Sequence, residues 1–67
     1  MILLNGQDSD VRAGETVLAA LGRLGLEAQA RGVAVAVDGE VVPRARWESF
    51  SLVEGARVEV LTAMQGG

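Results

Sequence analysis

The sequence predicts an α+β domain in which one helix packs on one face of a mixed four- to five-stranded sheet. Three observations predict it. Two turn signals, Asn5-Gly6 and Asp38-Gly39, each follow an apolar run and mark β-hairpins. A run with helical spacing, Val17 to Leu24, lies between them. An alternating run, Arg57 to Leu61, comes last. A helix and a sheet each need to bury one apolar face, and packing one on the other satisfies both.

Taken in order, Met1 to Leu4 reads as the first strand, which turns at Asn5-Gly6. Asp8 to Arg12 returns as a more polar strand, suited to a sheet edge, and Ala13-Gly14 ends it. Thr16 is placed to cap a helix in which Val17, Leu18, Leu21 and Leu24 share a face at spacings of three and four. Gly25 stands where a left-handed C-cap belongs, and Leu26 can fold back on Leu21 as a Schellman motif requires. Gly22 costs helix stability, and a close helix–sheet contact is one reason for a glycine there. Val33 to Val37 has the unbroken apolar character of a strand covered on both faces. Glu40 to Val42 pairs back across Asp38-Gly39 until Pro43, which has no amide hydrogen to donate. Arg44 to Ser51 reads as irregular with a single helical turn, and Glu54-Gly55 as another turn. In the last strand Val58 and Val60 face one way, Arg57 and Glu59 the other. The expected organisation is one domain over residues 1–61 and a tail without periodicity over 62–67.

Composition narrows the function. The 67 residues include no cysteine and no histidine. The commonest general base and the thiolate are thus missing, and with them the usual ligands for transition metals. Nine Asp and Glu are spread along the chain, and so short a fold has little room to build and support a catalytic cleft. An enzyme is therefore not expected, and neither is a metal site. The net charge is −3, with six Arg, no Lys and no basic cluster, which argues against a nucleic-acid partner. No uninterrupted apolar run exceeds five residues, far short of the ~20 needed to span a bilayer, and the N-terminus lacks the pattern of a signal peptide. A cytoplasmic protein with no membrane partner is expected.

The feature suited to chemistry is the end of the chain, Gly66-Gly67. An α-carboxylate, with a pKa near 3.3–3.7, is ionised at neutral pH and can attack the α-phosphate of ATP to give an acyl-adenylate. A sulfur nucleophile can then displace AMP. A partner's narrow channel would admit a tail without Cβ atoms, and two glycines supply one. Six extended residues reach about 20 Å, enough to thread into a partner while the domain stays outside. Two terminal glycines alone are weak evidence. Their weight comes from their position after this order of elements, the order of the β-grasp, the architecture of ubiquitin.

Several residues together resemble a known family, the ThiS sulfur carriers of thiamin thiazole synthesis. They are the first strand ending in Asn5-Gly6, then Val33-Ala34-Val35 leading to Gly39-Glu40-Val41-Val42-Pro43-Arg44. Trp47, Leu52, Glu54-Gly55, Arg57-Val58-Glu59-Val60 and Gly66-Gly67 follow. The Val-Pro-Arg segment followed by Trp47 is the most specific part and favours ThiS over the related molybdopterin carrier MoaD. Asp38 and Ala56 depart from the usual pattern, which often has Asn and Asp there.

The resemblance implies that a ThiF-like enzyme adenylates Gly67 using its own ATP and magnesium. Gly66 would give access. A cysteine persulfide donor would supply sulfur, and the resulting thiocarboxylate would deliver it to a ThiG-like thiazole synthase. Candidate partner contacts are Leu61, Met64, Gln65, Arg44 and Trp47. Leu61 is expected on the open face of the sheet and, with Met64, would form an apolar docking patch. Trp47 and Phe50 are read first as covering one end of the core, and Arg44 and Arg46 first as solvated surface, with a partner contact as the second reading of each. Other readings remain open at this level. They are a carrier for molybdopterin synthesis or tRNA thiolation, a ubiquitin-like modifier (which, lacking Lys, could not build chains on itself), and a binding module with no tail chemistry.

Overall fold

The computed structural model describes residues 1–63. Its elements run β1 (Leu3–Leu4), β2 (Gln7–Asp8), α1 (Val17–Arg23), β3 (Val33–Val37), β4 (Glu40–Val42), a 3-10 turn (Arg44–Arg46) and β5 (Arg57–Thr62). The five strands form one sheet in the order β2-β1-β5-β3-β4. β1 and β5 are parallel, and the other three pairings are antiparallel. The last strand thus lies at the centre beside the first, with each hairpin completing one side. This is the β-grasp arrangement.

Both hairpin turns use backbone that most residues avoid. Asn5 and Gly6 have φ of 53° and 82°, and Asp38 and Gly39 have 51° and 87°. Two successive positive values are what a two-residue type I′ turn needs, and Asn-Gly and Asp-Gly meet that need at the least cost. The second turn is tied to β5 through the Asp38 carboxylate, which accepts a hydrogen bond from the Arg57 N–H at 3.0 Å.

The helix begins where its cap predicts. Thr16 Oγ1 accepts a hydrogen bond from Ala19 N–H at 3.2 Å. It ends in a Schellman motif, with Leu26 N–H donating to the Leu21 carbonyl and Gly25 N–H to that of Gly22, both at 3.0 Å. Arg23, in the last turn, pairs with Asp10 at 2.9 Å and Glu15 at 3.0 Å and ties the helix to the segment before it. These partners hold the Asp10 carboxyl below its ordinary value, chiefly through the hydrogen bond from Arg23. Glu15 is lowered first by the Arg12 backbone N–H and then by Arg23.

The core lies between α1 and one face of the sheet. Val17, Ala20 and Leu21 of the helix are wholly buried and share one apolar cluster with Val35, Val37, Val58 and Val60 of the strands. Ile2, Leu4, Val11, Val42 and Ala56 join it, as do Trp47 and Leu52 from the long connection before β5, with Phe50 partly buried against the cluster. The Trp47 indole N–H donates to the Val42 carbonyl at 2.9 Å, so its one polar atom is satisfied inside the core.

Four expectations need correction. The second strand is only Gln7–Asp8, because the Ser9 hydroxyl donates to the Ile2 carbonyl and accepts from Val11 N–H, turning the chain away from the ladder. Leu24 is 42% exposed and Ala20 takes its place in the core, because Leu24 is the C-cap, where the backbone leaves helical geometry. Gly22 makes no close approach to the sheet: a Cβ there would meet nothing within 4 Å. Finally, β3 is buried on one face only. Val35 and Val37 enter the core, while Ala34 is exposed and Ala36 half-buried on the other side. The alternation of Val with Ala carried that information.

Candidate functional site

β5 carries the domain toward the C-terminus and is held on both sides. Its Val58 and Val60 point into the core, while Arg57, Glu59 and Leu61 are exposed. The strand runs one residue past Leu61, and Thr62 pairs with Val33. Ala63 N–H then donates to the Gly32 carbonyl at 2.6 Å.

On the other side, the Asn5 side chain takes over where β1 stops. Its Oδ1 accepts from Val60 N–H at 2.7 Å and its Nδ2 donates to the Val60 carbonyl at 3.3 Å. The amide thereby reproduces one rung of a strand ladder across a separation of 55 residues. Sequence reading identified Asn5 only as a turn residue. A side chain that bridges to the last strand leaves no local pattern by which to find it.

The face of the sheet opposite the helix bears a shallow apolar groove. Leu61, 70% exposed, stands across from Ala34, and Val41, 76% exposed, stands across from Ala36. Glu59 borders the same groove. Small alanines on β3 between larger residues on β4 and β5 make the depression. Leu61 thus lies where the alternation of β5 placed it, and Val41 is an exposed neighbour that the sequence reading did not single out.

The other candidate contacts fall elsewhere or are occupied. Met64, Gln65, Gly66 and Gly67 lie outside the described residues. Trp47 is only 2% exposed, so it offers a partner no surface; it belongs to the core. The Arg44 guanidinium lies over the Trp47 ring, 4.5 Å from its centroid, and donates to the carbonyls of Ala28 and Ala30. Arg44 therefore clamps the loop between α1 and β3 within the molecule. Arg46 similarly lies 5.8 Å from the Phe50 ring centroid.

Among the described residues no group of three or more His, Cys, Asp or Glu side chains is gathered to hold a metal ion. Their buried core is wholly hydrophobic. No helix among them is long and apolar enough to cross a membrane. What the geometry provides is a firmly held strand end beside an exposed apolar surface.

The model of the ThiS family matches residues 2–67. Among solved structures, the crystal structure of a thiamine biosynthesis protein (ThiS) from Geobacter metallireducens superposes with a TM-score of 0.73 at 32% identity, covering 98% of this chain and 97% of that one. A solution structure of a thiamine biosynthesis protein from the same organism gives 0.73 at 34% identity, with 98% and 86% covered. A curated relative from Paramagnetospirillum magneticum, named thiazole synthase, is 32% identical over 66 residues. That match takes in 98% of this chain but only 20% of the relative, so the chain spans about a fifth of that protein's length. With the family match reaching the terminal glycine and the fold shared with a ThiS crystal structure, the chain belongs to the ThiS family, the sulfur-carrier family of thiamine biosynthesis.

Proposed function

We propose that this chain carries sulfur on its terminal carboxyl group, Gly67, and serves as a co-substrate for partner enzymes. The observation that carries this reading is the family match through residue 67, coupled to a strand fixed in the sheet as far as Thr62. A rigid strand holds the start of the tail, and its last two residues, Gly66 and Gly67, carry no side chain larger than hydrogen, as a narrow active site would require.

The chemistry takes place in the partners. One oxygen of the Gly67 carboxylate attacks the α-phosphorus of ATP, the bond to pyrophosphate breaks, and an acyl-adenylate forms. Magnesium and ATP are held by a ThiF-like activating enzyme. The terminal sulfur of a persulfide then attacks the acyl carbon and AMP leaves, giving an acyl disulfide. A thiol cleaves its S–S bond; the thiol becomes part of a disulfide and the carrier keeps one sulfur as a thiocarboxylate. The acceptor is a ThiG-like thiazole synthase. A segment like this chain within a relative named thiazole synthase supports that choice of acceptor.

The groove at Leu61 and Val41 supplies the docking surface in this reading, an exposed apolar patch beside the strand that leads to the tail. The work is done in the cytoplasm, where persulfide donors and ATP meet.

ATP–pyrophosphate exchange tests the first step. With a ThiF-like enzyme, the native chain should support exchange, and a chain lacking Gly66 and Gly67 should support none. Equal exchange with the two chains would refute the assignment.

A further inference from the structure

Gly32 stands between the clamped loop and the end of β5. Its φ is +68°, a conformation that side-chain-bearing residues rarely adopt. Its carbonyl is the acceptor for Ala63 N–H at 2.6 Å. The space a side chain would need is also taken. A Cβ at Gly32 would sit 3.2 Å from Ala63 Cβ and 3.3 Å from the Ala63 carbonyl oxygen. Gly6, Gly14, Gly25, Gly39 and Gly55 also have positive φ, yet a Cβ on any of them would meet nothing within 4 Å. Among the described glycines, Gly32 alone combines the strained backbone with a crowded Cβ position.

The loop carrying Gly32 is itself anchored. Arg44 holds the Ala28 and Ala30 carbonyls while resting on Trp47, and Trp47 is fixed in the core by its hydrogen bond to Val42. A continuous path of contacts therefore joins the core to the residue at which the chain departs from the sheet.

We propose that Gly32 is a positioning residue for the C-terminal tail: its carbonyl and its missing Cβ set the direction in which the chain leaves β5 at Ala63. This rests on the reading of Gly67 as the activated end. The tail thereby begins at one fixed place relative to the open face on which a partner would dock. Misplacement of a reacting group by about 1 Å can cost up to roughly a hundredfold in rate. A shift of a few tenths of an ångström at Ala63 is expected to lower the rate of adenylation by about threefold.

Two readouts test this with the full-length chain. In the free protein, hydrogen exchange at the Ala63 amide should be slow in the native chain and fast in Gly32→Ala. With a ThiF-like enzyme, Gly32→Ala should lower kcat for adenylation about threefold with KM nearly unchanged, because the docking face is intact. Gly39→Ala, with comparable backbone strain at the other end of β3, should change neither readout. Ala63→Pro, which removes the donor N–H beyond the strand, should repeat the kcat loss and keeps the question open to test should Gly32→Ala fail to fold. Native Ala63 protection in Gly32→Ala would overturn the proposal, as would native kcat in folded Gly32→Ala or in Ala63→Pro. A native chain that is never adenylated would instead refute the carrier reading, and the exchange measurement would still decide whether Gly32 holds Ala63.

Discussion

Replacing Gly22 with Ala should stabilise the domain. Gly22 is exposed within α1, one residue before the helix ends, and an added methyl would meet nothing within 4 Å. The substitution therefore introduces no clash and buries no new surface. Its effect is on the backbone: glycine gives up more conformational freedom than alanine on entering a helix, a difference of roughly 0.5–1 kcal/mol. For a domain of this size each kcal/mol moves the melting midpoint by about 4–8 °C, so the expected rise is about 2–8 °C. Urea unfolding should show a higher midpoint with an unchanged slope, the signature of a change in stability alone. Adenylation kinetics should remain native. A lower midpoint would refute the reasoning, because it would mean that a neighbour does approach the helix at Gly22.

Further expectations follow from the same geometry. Leu61→Glu places a charge on the open face without touching the core; it should raise KM for the activating enzyme by about tenfold, or 1.4 kcal/mol of binding, and shift the melting midpoint little. Trp47→Phe leaves the Val42 carbonyl without its buried donor and should cost about 1–3 kcal/mol of stability, measured by denaturant unfolding, while partner kinetics stay native in the folded fraction. A raised KM with undiminished stability would instead return Trp47 to the surface. The pH dependence of stability should respond to Arg23. The Asp10 and Glu15 carboxyls are held below their ordinary values of 3.8 and 4.5 in the folded chain, so their contribution is present above those values and is lost as pH falls through the depressed ones. Arg23→Gln should therefore make the acid limb of the stability curve shallower, and an unaltered limb would show that the ion pairs contribute nothing.

The parts of this fold legible in the sequence are those governed by local rules. Asn5-Gly6 and Asp38-Gly39 identified both hairpins because few residue pairs accept two positive φ values in succession. Thr16, Gly25 and Leu26 located the helix ends because capping joins residues only a few positions apart. Leu61 was placed on the open face by alternation alone. What escaped depends on contacts between distant segments. Nothing near Asn5 indicates that its amide will replace a strand rung at Val60, and nothing near Arg44 indicates that it will hold Ala28 and Ala30. No local pattern sets Gly32 apart from the other turn glycines; only its contact with Ala63 does. An indole suits core or surface, and the core reading favoured for Trp47 is the one its burial and its hydrogen bond to Val42 bear out. The family match supports the chemistry proposed at Gly67, which no side-chain pattern in the chain encodes.

Intact-protein mass spectrometry tests the central claim most directly. The full chain would be incubated with ATP, magnesium, a ThiF-like enzyme, a persulfide donor and a thiol. Accurate mass should reveal a species in which one sulfur replaces one oxygen, and fragmentation should place it on Gly67, reactive toward a thiocarboxylate-specific alkylating tag. Gly66→Val, with native stability, should remain unmodified. Sulfur gained anywhere other than Gly67, or a native chain left unaltered by an enzyme and donor that modify another family member, would contradict the account.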